Sequence, residues 1–126
     1  MIQKLLSIRF AFPALAVLAG TASTFGADAK VSFNRDIRPI LANNCFACHG
    51  PDEKTREAGL RLDIAEHAKT KLVSGSTALV PGKLGESELA RRIVAVDPNQ
   101  HMPPADSGKK LTARQIELLN RWIEQG

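Results

Sequence analysis

Cys45-Phe46-Ala47-Cys48-His49 is the stretch that decides how this 126-residue chain is read. Two thiols three positions apart, followed at once by an imidazole, have the Cys-x-x-Cys-His spacing of a c-type haem attachment sequence. On one turn of helix both thiols reach the two vinyl groups of a porphyrin, and the next residue presents its imidazole to the iron. The expected cofactor is one haem c, made permanent by thioether bonds to Cys45 and Cys48. His49 must then ligate as neutral imidazole, with its second ring nitrogen donating to a carbonyl or water that fixes the ring. Pro81 is a candidate for that carbonyl.

Other uses of the same residues have weaker support. A thioredoxin-like pair needs a surrounding βαβ pattern, which the sequence lacks. A structural zinc module built from Cys45, Cys48, His49 and either His67 or His101 has enough ligands. It lacks the usual paired spacing of the second two. A plain disulfide is the ordinary use of two cysteines in an oxidising compartment, but it gives the adjacent histidine nothing to do.

The start of the chain favours the haem reading independently, because c-type attachment takes place outside the cytoplasmic membrane. Lys4 and Arg9 lead into the apolar run from Phe10 to Ala19, which small residues follow. That is the three-part pattern of a secretory signal peptide, read here as residues 1–29. The best small-x-small site is Ala27-Asp28-Ala29, with Gly20-Thr21-Ala22 as the competitor. The run falls well short of the roughly 20 residues that cross a bilayer, so no permanent membrane anchor is expected. The mature chain should be exported, periplasmic or at the cell surface.

With 44% hydrophobic and 5% aromatic residues, residues 30–126 suffice for one small domain. The full chain has 17 basic and 13 acidic residues, a net charge of +4. Losing Lys4, Arg9 and Asp28 with the leader leaves 15 and 12, a net of +3. Charges so mild and scattered exclude a nucleic-acid partner, which calls for a basic stripe or a recognised motif.

Phe33, Ile37, Ile40 and Leu41 recur at helical spacing, interrupted by Pro39, so a short first helix, kinked or beginning near Arg38, is expected to lead to Cys45. Residues 50–59 read as a polar surface loop. Asp63 is placed to cap a second helix over residues 63–72, broken by Ser74-Gly75-Ser76-Thr77. A third is expected over residues 86–94, with Leu89, Ile93 and Val96 facing inward. Residues 97–110, with three prolines, read as a stiff irregular loop. A final helix follows, started by a Thr112/Gln115 capping box and a Leu111/Ile116 staple. Its apolar stripe is Ile116, Leu119, Trp122 and Ile123.

An iron held by His49 on one face needs a ligand on the other. Met102, His101 and His67 are the candidates, since Met1 leaves with the leader. Met102 stands in the stiff segment Asn99-Gln100-His101-Met102-Pro103-Pro104 and is the preferred distal ligand; a His/Met pair raises the reduction potential relative to harder ligands. In an extended loop neighbouring side chains point oppositely, so only one of His101 and Met102 should reach the iron. His67 sits among charged residues and reads as a solvated bystander. Trp122, Arg91 and Arg92 are possible propionate partners beside their plainer roles in packing and solvation. Lys109 and Lys110 are placed to steer an acidic partner.

Phe33-Asn34-Arg35-Asp36-Ile37-Arg38-Pro39-Ile40-Leu41 and Cys45-Phe46-Ala47-Cys48-His49-Gly50-Pro51-Asp52 closely resemble the planctomycete-type cytochrome c domain. So do Gly59-Leu60-Arg61-Leu62-Asp63, Val80-Pro81-Gly82-Lys83, Met102-Pro103-Pro104, Leu111-Thr112 and Trp122-Ile123. The resemblance implies an all-α, class I cytochrome c-like fold around one covalently bound haem, with the N- and C-terminal helices crossing. It likewise implies attachment at Cys45 and Cys48 and axial ligation by His49 and Met102. The expected role is electron transfer without catalysis, the partner being a redox protein or C-terminal domains of a larger exported protein. The alternatives are a peroxidase-like enzyme or gas-binding haem, which needs a vacant or displaceable distal position, and a sensor module in which a redox or ligand change at the haem moves residues 97–110.

Overall fold

In the computed structural model, which describes residues 29–126, every regular element among the described residues is helical. The β pairing among them amounts to two isolated bridges, Lys71 with Thr77 and Thr77 with Ser87. The all-α expectation holds. The leader, apart from Ala29, lies outside the described residues.

The first helical segment is built as Pro39 dictates. A π-helical turn, Phe33–Ile37, passes into α1, Arg38–Asn44, with Pro39 in the first turn of α1, where proline is best tolerated. Asp36 pins the start: its carboxylate accepts the Ser32 N–H at 2.8 Å, and its own N–H donates to the Ser32 carbonyl at 2.8 Å. The hydrogen bond from Arg35, with that from Ser32, holds the Asp36 carboxyl down at about 2. Ile37, Ile40 and Leu41 are buried on one face.

The last helix, α4, Ala113–Glu124, carries both halves of its capping box, Gln115 N–H to Thr112 Oγ1 at 3.2 Å and Thr112 N–H to Gln115 Oε1 at 2.9 Å. Its stripe packs on the N-terminal segment. Leu119 and Ile123 are buried, and the Trp122 and Phe33 rings lie 5.6 Å apart at 35°. Gln125 Oε1 accepts the Val31 N–H at 2.8 Å, so the two ends of the described chain close on each other.

The two middle helices are shorter than their hydrophobic spacing predicts, for the same reason in both. Helix α2 is only Ala65–Ala68. The Ala68 carbonyl, which would take the Leu72 N–H in a longer helix, accepts Leu79 N–H at 2.9 Å, and Leu72 N–H turns to the Ser76 carbonyl at 2.8 Å. Asp63 caps nothing and pairs instead with Arg61. Helix α3 is Glu88–Arg92. Its Arg92 carbonyl accepts Met102 N–H at 3.0 Å rather than Val96 N–H. Leu89 and Ile93 are buried as expected, whereas Val96 is 97% exposed. Ser87, ahead of α3, is buried, and its hydroxyl donates toward the Lys83 and Val80 carbonyls while accepting Val80 N–H. Residues 97–110 are irregular apart from the 3₁₀ turn Ala105–Ser107.

Leu119→Ala, at a fully buried position, is expected to destabilise the domain by about 2–5 kcal/mol in urea unfolding. Asp36→Asn should be less stable than the parent at neutral pH. A carboxyl whose folded value is depressed contributes above its unfolded value of 3.8, and the contribution is lost as pH falls toward about 2. The gap between the two unfolding midpoints should therefore close between those values.

Candidate cofactor site

Helix α1 delivers the chain into a single tight turn. Cys45 N–H donates to the Leu41 carbonyl at 2.8 Å, and His49 N–H closes the turn on the Cys45 carbonyl at 2.7 Å. The carbonyls that follow are claimed one after another by the loop up to residue 62. Ala47 accepts from Thr55 Oγ1 at 2.9 Å, Cys48 from Glu57 N–H at 2.8 Å, and His49 from Leu62 N–H at 2.9 Å. Arg56 bridges the Gly50 and Pro51 carbonyls at 3.0 and 2.8 Å. A segment read as a solvated loop is in fact the brace of the motif. Neither Thr55 nor Arg56 was singled out, because a polar residue in a polar stretch carries no signal of where its donors go. Gly50 is required by space: a Cβ there would stand 2.2 Å from the Phe46 carbonyl oxygen.

Cys45, Cys48, His49 and Met102 all line one cavity of about 370 Å³. That is within the roughly 300–1,000 Å³ of ordinary cofactor pockets. Leu60, Leu62, Leu72, Ala78, Leu89 and Ile93 supply its apolar wall, and Pro103 and Pro104 border it beside Met102. The Met102 loop is fastened to the end of α3 by the bond to the Arg92 carbonyl. His101 is turned elsewhere, its Nδ1 donating to the Ala95 carbonyl at 2.8 Å, and His67 is exposed on α2. Among the described residues no group of three or more His, Cys, Asp or Glu side chains could hold a metal ion, so the ligand set of the zinc alternative is not assembled.

Both thiols are free. Burial, with Cys48 alongside, pushes the Cys45 thiol up to about 11. Burial also holds the His49 imidazole below its ordinary value; the Glu57 backbone and carboxylate oppose this, and the Arg92 charge adds to it. The ring is therefore neutral at pH 7, the form that ligates a metal. Its Nδ1 is buried without a hydrogen-bond partner. The expected bond to the Pro81 carbonyl is not made, because Pro81 faces a neighbouring cavity of about 350 Å³ with Phe33 and Trp122. Of the residues weighed as propionate partners, Arg92 borders the thiol-lined cavity while Arg91 and Trp122 do not; Lys109 borders it as well. An apolar chamber of cofactor size, two free thiols, a neutral imidazole and a thioether together fit a covalently held haem.

Gly50→Ala must displace the Phe46 carbonyl and open the Cys45–His49 turn. We expect it to cost about 1–3 kcal/mol in urea unfolding and to lower the fraction of exported chain that carries covalent haem.

Residues 45–106 match the protein family described as Planctomycete cytochrome C. Neither the curated proteins nor the solved structures contain a match to this chain. The matched span opens on Cys45, runs through the bracing loop and both middle helices, and takes in Met102. The chain therefore carries a planctomycete-type cytochrome c domain.

Proposed function

We propose that residues 30–126 form a mono-haem c-type cytochrome that passes single electrons, with Cys45 and Cys48 as attachment points and His49 and Met102 as axial ligands. The observation that carries this reading is that these four side chains, 57 positions apart at the extremes, line one apolar cavity. The haem, when bound, supplies a one-electron couple whose potential a thioether ligand raises.

The chain's own residues do the rest. His49 is held neutral and ready to ligate, and the bonds from Thr55, Arg56, Glu57 and Leu62 stiffen the turn that carries it. The leucines and Ile93 give the cavity an apolar wall, while Arg92 and Lys109 offer cations to the propionates. The contact of Phe33 with Trp122 and the bond from Val31 to Gln125 support a class I arrangement in which the terminal helices cross.

With Met102 filling the distal position we read the domain as a carrier rather than a catalyst. Its partner is a redox protein or a C-terminal domain of a larger exported chain. The signal-like leader supports a periplasmic or cell-surface location. No helix among the described residues is long and apolar enough to cross a membrane.

Exported in a host with a cytochrome c maturation system, the chain should retain haem through denaturation, and Cys45→Ser/Cys48→Ser should abolish that retention. A colourless product that binds zinc would overturn the reading. Met102→Ala should keep the haem, lower the potential and admit carbon monoxide to the reduced iron; an unchanged spectrum and potential would remove Met102 from the ligand set.

A further inference from the structure

Charged side chains are few in the cavity wall, and their arrangement is specific. Glu88, Arg92 and Lys109 border the cavity. The Glu88 side chain is only 14% exposed, and Arg92 Nε donates to its Oε1 at 2.7 Å. Arg91 grips the same carboxylate from the outer side, its Nε donating to Oε2 at 2.9 Å. Glu88 is thus fixed from two directions, and losing either arginine leaves the other in place. Arg92 in turn is held where it lies within Coulomb range of His49, and its carbonyl accepts the Met102 N–H.

We infer that the Glu88–Arg92 pair tunes the reduction potential of the site, the two fixed charges at the cavity wall acting on it directly and with opposite signs. The inference rests on the haem reading above. Gaining an electron makes the iron centre one charge less positive. A fixed cation nearby favours that change and a fixed anion opposes it, more strongly in a partly buried setting than in open water. Arg92 therefore raises the potential and Glu88 lowers it. The two charges are joined by one ion pair, yet their electrostatic effects have opposite signs.

This opposition separates a tuning role from a packing role. Potentials are measured by mediator-coupled titration of the haem-loaded protein for the parent, Glu88→Gln, Arg92→Gln and the double variant. Glu88→Gln should move the potential up and Arg92→Gln should move it down. The double variant should return close to the parent, and both single shifts should shrink as salt is added. A role in packing alone breaks the same pair in either single variant and moves both potentials the same way. That result, or no shift in either, overturns the inference while leaving the haem reading intact. A parent chain that takes up no haem overturns the proposed function, and this inference with it.

Discussion

The whole site depends on one turn of backbone whose carbonyls are held by hydrogen bonds from the loop that follows it. Between Cys45 and His49 the chain must hold two thiols and an imidazole in fixed relation, and a five-residue turn has no intrinsic stability that could do so. The loop up to residue 62 supplies it, satisfying the carbonyls of residues 47 to 51 in succession through Thr55, Arg56, Glu57 and Leu62. Gly50 makes this approach possible, since no side chain fits beside the Phe46 carbonyl. What looks like a hydrophilic connection is the structural counterpart of the motif.

The apolar residues divide into two sets. Ile37, Leu41, Leu119 and Ile123 are buried in the core cluster where the two ends of the chain meet. Leu60, Leu72 and their neighbours instead surround about 370 Å³ of space. An apolar chamber of that size is in the range of ordinary cofactor pockets. On the proposed function, a haem tethered at Cys45 and Cys48 takes that space and is part of the core as well as the redox group.

The charges follow the same division. Pairs such as Lys69 with Glu66 or Lys83 with Glu86 sit on the surface and contribute little. Glu88 differs because two arginines and a cavity wall enclose it. One short helix, α3, thereby presents a cation to the cavity and, through the Arg92 carbonyl, holds the loop that carries Met102.

What the sequence by itself determined is local. The Cys-x-x-Cys-His spacing, the capping box of α4, its apolar stripe and the break imposed by Pro39 each depend on neighbours within a turn or two, and all are present. His101 and Met102 do part, one to the Ala95 carbonyl and the other to the cavity, although the segment before them is a turn closed by His101 N–H on the Asp97 carbonyl rather than an extended loop. Tertiary structure decided where α2 and α3 end, because Leu79 and Met102 take the carbonyls that would have continued them. It decided that Arg92 rather than Arg91 or Trp122 reaches the cavity, and that Thr55 and Arg56 brace the motif. Hydrophobic periodicity records which face of a segment is buried; the partner of a given backbone carbonyl depends on residues distant in the chain that only folding brings beside it.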